Sequence, residues 1–138
     1  METRDLNITN WRGESIGAIN EQSSNDEKFQ NQTLRPILKL QNDLFIAVFN
    51  NHVNKHKNDF YSLSVEKKLQ FIENAIQKDI KFRNSLKGIV IGLFTLSEYQ
   101  VYIQNSSALN KRMMNMLIER LKSQVQLFEM VSNNCDRF

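Results

Sequence analysis

A single proline, Pro36, and four glycines are the only strong backbone breakers in 138 residues. So few interruptions fit a small number of long elements joined by short loops. Apolar residues recur at three- and four-residue steps, the period of an amphipathic helix. After residue 12 there is no strand-like alternation of useful length and no repeat of fixed period. The expectation is one all-α domain, an irregular bundle of about five helices with a poorly regular N-terminal leader.

The leader spans 1–23. Leu6, Ile8 and Trp11 hint at a short extended segment, Gly13 and Gly17 interrupt any longer period, and the lone tryptophan predicts docking through Trp11. The bundle is expected over 24–131, and 132–138 reads as a polar tail. Ser24-Asn25-Asp26-Glu27 fits a capping box. A stripe through Phe29, Leu34, Ile37, Leu38, Phe45 and Phe49 keeps its phase on both sides of Pro36, which predicts a kinked helix rather than two. Ser64 is the expected N-cap of a helix burying Val65, Leu69, Ile72 and Ile76. A further helix from about Asp79 buries Phe82, Leu86 and Val90, with Gly88 and Gly92 suited to a close helix crossing. Thr95-Leu96-Ser97-Glu98 is a second capping box. A last, methionine-rich helix is expected from about Ser107 to Val131.

Charge divides unevenly. Residues 1–33 carry three basic and six acidic side chains, net −3, and the remainder carries fifteen basic and nine acidic, net +6. The basic body suggests an anionic partner, which the acidic leader could mask through Glu2, Asp5, Glu14 and Glu21. Lys78, Lys81, Arg83 and Lys87 are the candidate anion-binding set. A DNA reader would need a free recognition helix, but Phe82, Leu86 and Val90 commit this one to packing. With no aromatic platform either, nucleic acid is disfavoured.

Catalytic and metal chemistry find little support. His52 and His56 could share a helix face, but Val53 stands where a zincin needs glutamate, and Asp43, Asp59 and Cys135 lack ligand spacing. Cys135 lies in the polar tail, a poor platform for a Cys–His pair. Glu66, Glu73 and Asp79 stand among lysines, as exposed ion pairs do. No GxGxxG, P-loop or CxxC motif occurs. No catalytic residue, metal site or cofactor is therefore assigned, and the sequence argues against an enzyme. Gln41 interrupts an apolar stripe and Arg35 adjoins Pro36. With Tyr99, Tyr102 and Asn110 they form the candidate ligand-binding set for a polar pocket between helices.

The runs Asn31-Gln32-Thr33-Leu34-Arg35-Pro36-Ile37-Leu38, Lys78–Gly92 and Ser106-Ser107-Ala108-Leu109-Asn110-Lys111-Arg112-Met113 resemble a family of small, uncharacterised all-helical bacterial proteins. The resemblance extends from Phe29 to Gln124. Some members carry a glyoxalase label, which implies a metal-dependent isomerase. This sequence lacks the βαβββ strands and dispersed His/Glu ligands of that class, so no residue is carried over. The resemblance implies a bacterial, cytoplasmic protein. A single cysteine, the absence of a signal-peptide pattern and the absence of a membrane-length apolar run agree with that expectation. The leading functional expectation is a non-enzymatic helical protein acting through protein contacts, as a homodimer joined through Met113, Met116 and Leu117 or through the Gly88–Gly92 side. The alternatives are a small enzyme or ligand carrier using the polar pocket, and a basic surface for a polyanion.

Overall fold

The computed structural model describes residues 3–55 and 59–128. Among them the chain is all-α, with no strand. The α-helices are α1 (Thr3–Arg12), α2 (Asn25–Phe29), α3 (Arg35–Leu40), α4 (Asn42–Lys55), α5 (Val65–Lys78), α6 (Ile80–Ile91), α7 (Leu96–Gln104) and α8 (Ser106–Ser123). A π-helical turn, Gln30–Leu34, joins α2 to α3, and short 3₁₀ turns cover Phe60–Ser62 and Val125–Phe128. The segmentation is finer than five helices because the expected first helix divides and the leader itself is helical.

Helix starts follow local side-chain chemistry. Ser24 accepts from the Glu27 amide, Ser64 from the Lys67 amide and Asp79 from the Phe82 amide, each satisfying a donor that the helix cannot. Thr95 and Glu98 form the full reciprocal capping box at α7. Asn105, at φ −147° and ψ 40°, separates α7 from α8. The last α-helix stops at Ser123, earlier than expected, and residues beyond Phe128, including the polar tail, lie outside the described residues.

Pro36 neither breaks the helix nor ends it. Backbone angles at Phe29, Gln30, Leu34 and Arg35 all stay in the right-handed helical region. The chain meets the proline by widening one turn, and the Arg35 amide reaches back to the Gln30 carbonyl in the i→i−5 pattern. That relieves the clash a proline ring makes with the carbonyl four residues earlier. The actual break falls at Gln41, at φ −94° and ψ 9°, where α3 gives way to α4.

A proline has no amide hydrogen. The carbonyls an amide at position 36 would engage are Asn31 in the wide register and Gln32 in the α register, and both find donors in the leader. The Ile16 amide bonds the Asn31 carbonyl at 2.9 Å, and Arg12 Nη2 bonds the Gln32 carbonyl at 3.1 Å. The Asn31 side chain extends the junction, donating to the Ala18 carbonyl at 3.0 Å. Gly17 sits against it at φ +102°, where a Cβ would meet Asn31 Cγ at 2.9 Å. Glycine is required there for both backbone angle and space.

The leader thus docks, though by other means than expected. Its first part, Thr3–Arg12, is a helix rather than an extended segment, residues 13–23 carry only turns and bends, and Trp11 is 63% exposed. Ile8 is buried, and ionic and polar contacts join it. Arg4 donates to the carbonyls of Phe94 and Gly92 at 3.0 and 3.1 Å, and Arg12 donates to that of Leu93 at 3.3 Å. Cations therefore cover the carbonyl end of α6. Asp5 is buried and its Oδ2 accepts from the Leu96 amide, the first of α7, at 3.2 Å. A carboxylate thus meets an amide end.

Beneath this lies Glu98. Its carboxylate takes Arg12 Nη1 at 2.5 Å and Nη2 at 2.7 Å, Thr33 Oγ1 at 2.7 Å and the Thr95 amide at 2.8 Å. Burial would raise its pKa, but the hydrogen bonds from Arg12, Thr33 and Thr95 and the Arg12 charge outweigh burial and hold it below the ordinary 4.5. The Arg12 side chain is 5% exposed, and its Nε has no hydrogen-bond partner among the described residues. The rest of its fork offsets that cost.

Phe49 centres the core. Its ring lies 5.6 Å from Phe60, 6.2 Å from Phe71, 6.3 Å from Phe82 and 5.0 Å from Phe128, tying α4, α5, α6 and both 3₁₀ turns together. Ile72 and Ile76 form the inward face of α5 as expected, but Lys68 joins them and Val65 does not. Lys68, Ile72 and Ile76 are buried, Val65 is exposed, and the Lys68 ammonium lies 5.8 Å from the centre of the Phe60 ring. In α8, Met113 and Leu117 are wholly buried within the subunit, so neither can form the expected dimer contact. Gly88 makes no close helix crossing, since a Cβ there would meet nothing within 4 Å.

The Glu98 network sets an acid limit on leader docking. Its folded pKa is depressed, so its contribution is full above the unfolded glutamate pKa and is lost as pH falls through the folded value. The Ile16 amide should be strongly protected from hydrogen exchange at neutral pH, and its protection factor, the observed rate set against the intrinsic rate at each pH, should fall as Glu98 protonates below pH 4.5. Glu98→Gln should remove that acid step, measured by carboxyl-carbon NMR and exchange together. An identical acid profile in the variant would contradict the assignment.

Candidate functional site

The basic residues expected as one set divide between two faces. Lys78 and Lys81 border a depression shared with His52, Asp79 and Ile80, so a carboxylate stands among them. Arg83 and Lys87 instead face α8, where Lys111 joins them in a groove of about 420 Å³. Spacing along one helix could not reveal that third cation, because Lys111 comes from another element.

The groove is built by the α6–α8 packing. Phe82, Leu86 and Val90 turn inward with Leu109, Met113 and Leu117, which leaves Arg83 and Lys87 on the flank of α6 and Lys111 on that of α8. Met114 and Ile118 supply an apolar floor, and Ser107, Asn110 and Asn115 supply uncharged polar groups. No carboxylate lines it, and neither Lys87 nor Lys111 forms an ion pair among the described residues. Arg83 Nη1 donates to the Gln77 carbonyl at 2.7 Å, in the last turn of α5. That bond orients the guanidinium at a helix C-terminus without neutralising it by a full charge.

The candidate ligand-binding residues also separate. Tyr102 is buried and donates to Asn110 Oδ1 at 2.6 Å, which places the Asn110 amide in the groove wall. Tyr99 lies beside it, the two rings 6.1 Å apart, and is 43% exposed. Arg35 belongs to a different cleft, between α3 and α8, and Gln41 stands at the α3–α4 break. Arg35, Gln41, Tyr99, Tyr102 and Asn110 therefore do not line one pocket. The acidic leader does not mask the basic groove either. Asp5 is spent on α7, Glu14 and Glu21 do not line the groove, and Glu2 lies outside the described residues.

Of Glu66, Glu73 and Asp79, the last two have structural partners. Glu73 pairs with Lys122 at 3.7 Å, and Asp79 caps α6. His52 stacks on Phe82, ring centres 3.9 Å apart, with its Nε2 4.0 Å from Asp79 Oδ2. No group of three potential metal-ligating His, Cys, Asp or Glu residues occurs among the described residues. His56 and Cys135 lie outside the described residues. No described helix is long and apolar enough to cross a membrane. Comparison with protein-family models, with curated proteins and with solved structures gives no match.

Tyr102 positions the groove's amide, so its hydroxyl has a measurable energetic signature. Tyr102→Phe leaves a partly buried Asn110 acceptor without its donor and should destabilise by about 1 kcal/mol. Urea unfolding checks this. A variant as stable as the parent would show that the bond does not hold Asn110.

Proposed function

We propose that the protein is a non-enzymatic binding module whose α6–α8 groove recognises an acidic segment of a partner protein. The observation that carries this reading is three cations, Arg83, Lys87 and Lys111, around one groove whose wall contains no carboxylate among the described residues. Like charges gathered without compensation raise the local potential and attract anions. An interior built to stabilise the chain alone gains nothing from that arrangement.

The groove's other walls favour a peptide over a nucleic acid. Met114 and Ile118 offer an adaptable apolar floor for a side chain between two acidic residues. Asn110 and Asn115 can bond a peptide backbone. Among the described residues no aromatic ring lines the groove, so base stacking, the usual source of single-strand affinity, has no platform there. The role is recognition rather than turnover, since the groove holds neither a nucleophile–base pair nor two carboxylates.

The test uses a fluorescent glutamate-rich peptide and a single-stranded oligonucleotide of equal charge. The parent protein should bind the peptide more tightly, with affinity falling as salt rises. Arg83→Gln, Lys87→Gln and Lys111→Gln together should weaken peptide binding about tenfold or more with helical content unchanged. Equal peptide binding by parent and triple variant would overturn the reading. Preferential, equally salt-sensitive binding of the oligonucleotide would overturn the choice of partner.

A further inference from the structure

On the other side of α8 lies a second cleft, of about 500 Å³, between α3 and the C-terminal half of α8. Two guanidiniums border it, Arg35 from α3 and Arg120 from α8. Burial, and then the facing charge of Arg35, lower the Arg120 pKa from its ordinary value, so the two cations feel one another. Neither forms an ion pair among the described residues. Glu119 also lines the cleft, but it is exposed and within salt-bridge distance of neither arginine.

Amides, not carboxylates, hold this pair in place. Arg35 Nε donates to Asn31 Oδ1 at 2.8 Å, and both its Nη atoms are without a protein partner among the described residues. Arg120 Nη1 donates to Asn42 Oδ1 at 3.3 Å. Asn42 is itself locked to Gln124 by reciprocal amide bonds of 2.8 and 2.7 Å, and Gln124 also donates to the Arg120 carbonyl at 3.0 Å. The scaffold thus spends several side chains to orient two unneutralised guanidiniums across one cleft. A planar guanidinium presents paired donors that match phosphate or carboxylate oxygens.

We infer that the Arg35–Arg120 cleft binds a small phosphate monoester, its dianionic head between the two guanidiniums and its organic part against Met116. A dianion matches two facing cations, and a phosphate monoester carries close to two negative charges at neutral pH. Half-buried Met116, with Leu38 buried beneath it, supplies the apolar part of the cleft wall. The site is separate from the α6–α8 groove and stands on different residues, with Asn115 alone bordering both.

Calorimetric titration of phenyl phosphate and of inorganic phosphate into the full chain tests the inference, with sodium chloride at matched ionic strength as the control. The parent should bind phenyl phosphate, bind inorganic phosphate more weakly and not respond to chloride. Arg35→Gln, at an exposed position, should weaken phenyl phosphate binding about tenfold or more. Arg120→Lys, which keeps the charge and removes the fork, should do the same. The α6–α8 triple variant should bind phenyl phosphate as the parent does, which separates this site from the proposed protein-binding groove. Binding unchanged in both arginine variants, or no heat at millimolar phenyl phosphate, would overturn the assignment. Equal affinity for inorganic phosphate and phenyl phosphate would overturn the apolar half of the site.

Discussion

The missing amide hydrogen of Pro36 organises one whole side of this molecule. A proline inside a helix leaves a carbonyl without its donor and crowds another. The chain answers with one wide turn, and the carbonyls of Asn31 and Gln32 then become acceptors for Ile16 and Arg12. Arg12 carries the constraint further, because the same guanidinium grips Glu98 and reaches the Leu93 carbonyl. Glu98 in turn caps α7 and accepts from Thr33 within the wide turn. Three distant stretches of sequence, the leader, the Pro36 helix and the α6–α7 corner, therefore close into one polar cluster. A buried charge without its partner costs several kcal/mol, so these contacts are strongly interdependent.

The two clefts follow from how α8 is shared. Its buried face, from Leu109 to Leu121, packs against the bundle, and its two flanks are left beside α6 and α3. Each flank carries cations held by neutral groups: the Gln77 carbonyl for Arg83, the Asn31 amide for Arg35 and the Asn42–Gln124 pair for Arg120. Amide partners fix direction while leaving charge uncompensated, which favours an external anion over an internal salt bridge. The proposed peptide groove and the inferred phosphate cleft are two uses of that arrangement.

The helical class was legible because period and capping agree. Ser24, Ser64 and Thr95-Leu96-Ser97-Glu98 announce helix starts in the sequence, and the structure uses each of them. In the leader the spacing of Leu6, Ile8 and Trp11 suggests an extended segment where Thr3–Arg12 is a helix, while Gly13 and Gly17 do mark the irregular stretch, one ending that helix and the other permitting a close approach to Asn31. Trp11 drew attention as the obvious anchor, yet the anchors are charged side chains whose value depends on distant carbonyls. The site was half legible. Arg83 and Lys87 are neighbours on one helix turn, but Lys111 and the Arg35–Arg120 pair meet only through tertiary packing. Tyr102 and Asn110 were visible as polar residues near an apolar stripe, though not as partners of the basic groove.

The central claim is that the leader replaces the proline's missing donor, through the Ile16 amide at Asn31 and through Arg12 at Gln32. A double-mutant cycle of Arg12→Met and Pro36→Ala, read by urea unfolding, tests it most directly. An alanine in place of Pro36 supplies the absent amide, so Arg12 should matter less in that background. The expected coupling between the two positions is about 1 kcal/mol or more, in the direction of a smaller Arg12→Met loss in the Pro36→Ala background. Additive effects, within about 0.3–0.5 kcal/mol, would contradict it.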